Sequence, residues 1–192
     1  MTASRSDRIV QIAACVLLPV AWSVAAEPGA GPSLNPVLDA DQRARLLLRE
    51  MSLDERFTIL HGRMAIPFMH FTKPDGAIGS AGYVRAIARL GVPALQETDA
   101  GLGVADLAGL HVAEGSTAMP STLLQAATFS TGIAAQGGAM IGNEAWSKGF
   151  NVLLAGGVNL AREPRAGRNF EYFGEDPLLA GLMAGAAIPG IQ

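Results

Sequence analysis

The sequence predicts an α/β fold with parallel strands, and three observations predict it. Two apolar runs, GVPALQETD (Gly91 to Asp99) and FNVLLAGGVNLA (Phe150 to Ala161), read as buried strands that run into polar ends. Helical patterns alternate with them, in the order helix, strand, loop, helix, strand, loop, helix. Glycine is abundant, 23 of 192 residues, and gathers at the ends of apolar runs, where short turns are needed.

Taken in order, Asp41 to Met51 carries Leu46, Leu47 and Leu48 between Arg and Glu, as a helix with one buried face does. Ser52-Leu53-Asp54-Glu55 has the form of a capping box, with Leu53, Phe57 and Leu60 following at helical spacing and Gly62 as the stop. From His61 to Ile87 the pattern is irregular, and KPDGAIGSAGY supplies turn chemistry. After the first strand comes the loop AGLGVADLAGLHVAEGSTAMPS. A helix then starts at a Ser130 or Thr131 cap, buries Ile133, Met140, Ile141 and Ala145, and closes at Gly149. After the second strand, Asp176-Pro177 opens a last helix, an N-cap followed by a residue preset for the first turn. Leu178, Leu179, Leu182, Met183 and Ala186 form its expected buried side, before Pro189-Gly190.

Composition narrows the function. With 49% apolar and 16% charged residues the chain is expected to pack a core. A formal charge of −3, with no basic stripe, argues against nucleic acid as a partner. Residues 1–26 read as a secretory signal peptide: Arg5 and Arg8, an apolar run, then Val24-Ala25-Ala26. Gln11 and Pro19 interrupt that run, so a membrane span is not expected, and the product is expected to be exported. Residues 27–38 are a Pro/Gly-rich leader, and the fold occupies 39–192. Cys15 is the sole cysteine and lies in the signal, which leaves the mature chain no disulfide and no thiol nucleophile.

REPRAGRNFEYFGEDP, Arg162 to Pro177, packs seven charged side chains into sixteen residues directly after an uncharged segment. In α/β folds ligands collect on the loops at the carboxyl ends of the strands, and both this cluster and Glu97-Thr98-Asp99 fall there. A structural network of ion pairs would account equally for its charges. Gly101-x-Gly103 lacks the third glycine and the lysine of phosphate loops. His61, His70 and His111 fit no metal-ligand spacing, and no serine nucleophile elbow is present. No cofactor or metal is expected. Asp and Arg on separate strand ends suit a polyhydroxylated ligand, since a carboxylate accepts from two neighbouring hydroxyls and a guanidinium donates to several oxygens in one plane.

Several longer motifs, in order, resemble one family. LLLREMSLDERFTIL, RLGVPALQETDAGLGVAD, GSTAMPSTLLQAATF, the stretch MIGNEAWSKGFNVLLAGGVNLAREPRAGRNFEYFGEDPLLAG and the final GIQ are similar to the amino-terminal region of glycoside hydrolase family 3. The resemblance runs from about Leu46 to Gln192, and the family includes β-glucosidases and β-xylosidases. It implies the N-terminal portion of a (β/α)8 TIM-type barrel, with the sugar at the C-terminal mouth. By the same resemblance, Asp99 of the TD motif and Arg168 before NFE bind the terminal sugar, Glu171 orients Arg168, and Arg162, Arg165 and Glu175 brace the loop. The family's Lys-His motif, Asp nucleophile and general acid/base come later than Gln192. The expectation is therefore a fragment with no catalytic residue of its own, shorter than the roughly 250 residues of a complete barrel. It is a β-glucosidase-like, retaining O-glycosyl hydrolase by family, acting on a β-linked oligosaccharide or glycoside. A non-catalytic sugar-binding remnant and an interaction protein are the alternatives, and the sugar's identity and the oligomeric state stay open.

Overall fold

A computed structural model describes residues 34–105, 115–154 and 156–192. The segment read as a signal peptide, most of the segment read as a leader, residues 106–114 of the loop after the first strand, and residue 155 lie outside them.

Two short helices open the fold. α1 (Ala40–Glu50) is capped by Asp39, whose carboxylate accepts from Gln42 N at 2.8 Å while the Gln42 side chain accepts from the Asp39 amide. α2 (Leu53–Leu60) has the expected Ser52/Glu55 capping box, and it ends one residue before His61 rather than on Gly62. The segment read as irregular contains two strands, β1 (Arg63–Met64) and β2 (Gly82–Val84). They are too short for an alternating pattern to show in sequence, and pairing alone makes them strands. β3 (Leu95–Asp99) follows, then α3 (Thr122–Ala126), α4 (Thr131–Ser147), β4 (Val152–Leu154) and α5 (Pro177–Ile191).

The sheet order is β1-β2-β3-β4. β3 and β4 are parallel, with Glu97 opposite Val152 and Asp99 opposite Leu154, as a βαβ crossover through α4 requires. β1–β2 and β2–β3 are antiparallel, so the sheet is mixed. The α/β class expected from the sequence is the class observed.

Burial departs from expectation in particular places. β3 and β4 are not buried strands: Leu95 is 36% and Leu154 49% exposed. β4 closes one end of the sheet, and among the described residues no strand pairs with its outer edge. In α4 the buried face consists of Ala134, Gly137, Gly138, Ile141 and Ala145, while Ile133 is half exposed. In α5 only Ala180 and Met183 are buried, and Leu178 and Leu182 face solvent. α5 also continues through Pro189 and Gly190 rather than stopping before them.

One cause explains the burial differences in these two helices. α4 and α5 cross at backbone distance: a Cβ on Gly138 would stand 2.2 Å from Ala187 O, and one on Gly190 2.4 Å from Ala135 O. Small residues therefore face the partner helix and turn the leucines outward. The termini follow local rules. Ser130 caps α4 by accepting from Ile133 N, and Gly149 (φ 86°) ends it, with Phe150 N donating to Ala145 O at 3.0 Å. Asp176 caps α5 through Leu178 N at 2.7 Å, with Pro177 in the first turn.

Candidate functional site

The parallel register sets the site. β3 and β4 end side by side at Asp99 and Leu154, so the loops that follow them emerge together. Two backbone approaches then shape the floor. After β3 the chain turns back at once, with Ala105 N donating to Asp99 O at 2.8 Å. Gly103 (φ 103°) lies so close to Thr117 that a Cβ there would meet its carbonyl at 2.1 Å. After β4, Gly157 bridges in parallel to Tyr172, and a Cβ on it would stand 2.6 Å from Glu171 O. This contact lays the end of the 168–172 segment beside the chain that leaves β4.

That segment is held from three sides. Asn169 Nδ2 donates to Glu163 O at 2.8 Å, a 3-10 turn covers Asn169–Glu171, and Phe173 is buried with Ala126, Ala134, Ala180 and Met183. The charges of the run divide cleanly. Arg165 closes on Glu163 at 2.9 Å, which holds the Glu163 carboxyl below its usual range. Arg168 lies on Glu171, its Nε 2.9–3.0 Å from both carboxylate oxygens and its Nη2 2.5 Å from Oε2. Arg162 and Glu175 have no side-chain partner among the described residues, so the bracing expected of them is not seen there.

Asp99, Arg168 and Glu171 line one cavity of about 600 Å³, with Leu102, Asn159 and Tyr172 among its other walls. The Arg168 proton is held more firmly than usual, first by the hydrogen bond to Glu171, with the charges of Glu171, Tyr172 and Asp99 adding to it. Nε and Nη2 are spent on Glu171, which leaves the Nη1 donors without a partner among the described residues. The cavity thus presents an acceptor carboxylate, a fixed cationic donor and apolar walls, a set suited to a neutral polyol. Tyr172, Asn159 and Leu102 were not singled out from sequence. The glycine pair 156–157 after an apolar run was the available signal, since it marks a close backbone approach.

Comparisons with known proteins bear on the family and the fold. Residues 62–192 match the glycosyl hydrolase family 3 N terminal domain. Thermostable beta-glucosidase B of Acetivibrio thermocellus is 31% identical over 152 residues, 76% of this chain and 18% of the relative. Beta-glucosidase A of Butyrivibrio fibrisolvens is 41% identical over 103 residues, 54% of this chain and 12% of the relative. Among solved structures, beta-glucosidase 3B from Thermotoga neapolitana in complex with alpha-D-glucose superposes with a TM-score of 0.67 at 29% identity, over 78% of this chain and 21% of that one. DesR, a beta-glucosidase from Streptomyces venezuelae in complex with D-glucose, gives 0.66 at 32% identity, over 78% of this chain and 17% of that one. The chain spans about a fifth or less of the length of these relatives. The match to the family covers most of the residues and the fold agrees with that of its solved members: this chain belongs to glycosyl hydrolase family 3.

Proposed function

We propose that this chain supplies the sugar-holding part of a β-glucosidase-type active site, with Asp99 and Arg168 binding the non-reducing terminal glucose of a β-glucoside. The observation that carries the reading is that both side chains line a single cavity at the carboxyl ends of two parallel strands. Asp99 accepts from two adjacent hydroxyls, Arg168 donates to a third oxygen, and Glu171 keeps the guanidinium from turning toward solvent. Glucose bound to two of the solved relatives supports the choice of sugar.

The same cavity favours binding over bond cleavage by these residues. Retaining hydrolysis uses two carboxyl groups roughly 5–5.5 Å apart across the scissile bond. Of the two carboxylates that line the cavity among the described residues, Glu171 is committed to Arg168. With Asp99 as the one uncommitted carboxylate, the described cavity does not present the pair that retaining hydrolysis uses.

Calorimetric titration of the 192-residue chain with glucose tests the reading. Saturable binding is expected, weakened roughly tenfold or more by Arg168→Ala and by Asp99→Ala, the usual cost of losing hydrogen bonds to a charged group. The purified chain is expected to bind glucose without releasing the aglycone of an aryl β-glucoside. Undiminished affinity in both variants would refute the assignment.

A further inference from the structure

α2, β1 and β2 enclose a second cavity of about 310 Å³, whose walls include His61, Arg63, Asp75, Tyr83 and Arg85. It lies toward the opposite end of the sheet from the sugar site: Val84 pairs with Leu95 at the start of β3, whereas Asp99 ends that strand. The register explains why cations meet there. Arg63 stands opposite Tyr83 across the β1–β2 pair, and Arg85 follows Tyr83 by two residues, which returns it to the same face. Arg63 and Arg85 occupy diagonal positions across the pair, within reach of one another for long side chains of the same charge, and both line the cavity.

Both are unpaired among the described residues, as Arg162 is, whereas three other arginines are not. Arg89, Arg165 and Arg168 each rest on a glutamate. Arg63 and Arg85 make no side-chain hydrogen bond or ion pair among the described residues, although the Asp75 carboxylate shares their cavity. Tyr83 adds a donor: the residue is 7% exposed, and its hydroxyl opens to solvent and makes no hydrogen bond among the described residues. His61 adds no donor: its Nδ1 lies 2.8 Å from Phe57 O, and because a carbonyl only accepts, Nδ1 carries the proton and Nε2 is an acceptor. In a chain of net charge −3, the unused guanidinium and hydroxyl donors gathered here are a local concentration.

We propose that this cavity binds a tetrahedral oxyanion, inorganic phosphate or a phosphate monoester, between the Arg63 and Arg85 guanidiniums, with the Tyr83 hydroxyl as a further donor. Forked guanidinium donors match phosphate oxygens in geometry and charge, and a phosphate would offset the like charge of the two arginines.

The test is a titration of the 192-residue chain with inorganic phosphate and, separately, with glycerol phosphate, at ionic strength held constant with sodium chloride and followed by amide NMR. Saturable shifts confined to the segments around residues 61–63 and 83–85 are expected. A response to both probes identifies the phosphoryl group as the ligand, and a response to glycerol phosphate alone identifies the monoester. Arg63→Gln and Arg85→Gln are each expected to weaken binding roughly tenfold. Asp75→Asn is expected to tighten it by removing the opposing charge, a gain that a misfolded variant would not show. Arg165→Gln, at the other end of the sheet, is expected to leave it unchanged. The proposal is overturned if neither probe exceeds chloride, or if the double variant Arg63→Gln/Arg85→Gln keeps its fold by NMR and still binds.

Discussion

Arg168 is the side chain on which the proposed sugar site turns. It is three-quarters exposed, and alone it would sample many rotamers; Glu171, largely covered, anchors two of its nitrogens and leaves the third without a partner among the described residues. Glu171→Gln keeps the shape and removes the charge that grips Nε and Nη2. We expect it to lower glucose affinity severalfold, less than Arg168→Ala does, with the backbone spectrum unchanged; calorimetry on the two variants checks the order. A different residue pair yields a pH prediction. Glu55 is held at about 2, against an ordinary 4.5, first by the hydrogen bond to Arg89 and then by the Ser52 amide. A carboxyl whose pKa is lower in the folded chain stabilises it fully above the ordinary value and loses that contribution as pH falls toward about 2. Urea midpoints of the wild type and Glu55→Gln should therefore differ at pH 6 and converge as the solution is acidified from 4.5 toward 2; a constant gap would rule out the linkage. Asp99 and Arg168 lie in polar clusters that follow apolar runs, but it is the resemblance of the TD and RNFE motifs to the family that sets them apart from the other charges there. Tyr172 could not be picked out in sequence, because its place in the cavity depends on Gly157 lying against Glu171.

The crossing of α4 and α5 depends on positions with no side chain. Gly138, Gly142 and Gly190 each come within 2.4 Å, measured from an added Cβ, of a backbone oxygen on the facing helix. An alanine there must push the helices apart. Gly138→Ala and Gly142→Ala are each expected to destabilise by about 1–3 kcal/mol. Gly181 and Gly185 supply the contrast, since a Cβ at either position in α5 would meet nothing within 4 Å. There the substitution only restricts the unfolded chain and favours helix, so Gly181→Ala and Gly185→Ala should stabilise by roughly 0.5–1 kcal/mol. Urea denaturation of the four variants separates the two classes. Helix caps were readable because Ser52, Ser130 and Asp176 act on amides two or three residues away. The buried faces were misread because helical periodicity ranks leucine above glycine, whereas a close crossing requires the reverse.

Across the whole molecule, large apolar side chains remain in water: Trp146 at 78%, Leu178 at 70%, Leu182 at 55% and Leu154 at 49% exposure. β4 adds a strand edge that is unpaired among the described residues. Such surfaces favour self-association. The 192-residue chain is expected to elute at increasing apparent mass as its concentration rises, and Leu178→Lys with Leu182→Lys, one turn apart on α5, to reduce that shift. Size-exclusion chromatography with light scattering reads the effect, and unchanged association in the double variant would place the contact elsewhere.

The sequence by itself determined the α/β class, the caps, the order of the longer elements and the two polar clusters beyond the strands, because these follow from interactions spanning a few residues. Only the tertiary structure decided that β1 and β2 are strands, that the sheet is mixed, that the leucines of α5 face outward, and that Arg168 shares a cavity with Asp99. Each of those depends on which backbones approach one another across long separations, and the glycines that permit the approach carry no hydrophobic signal of their own.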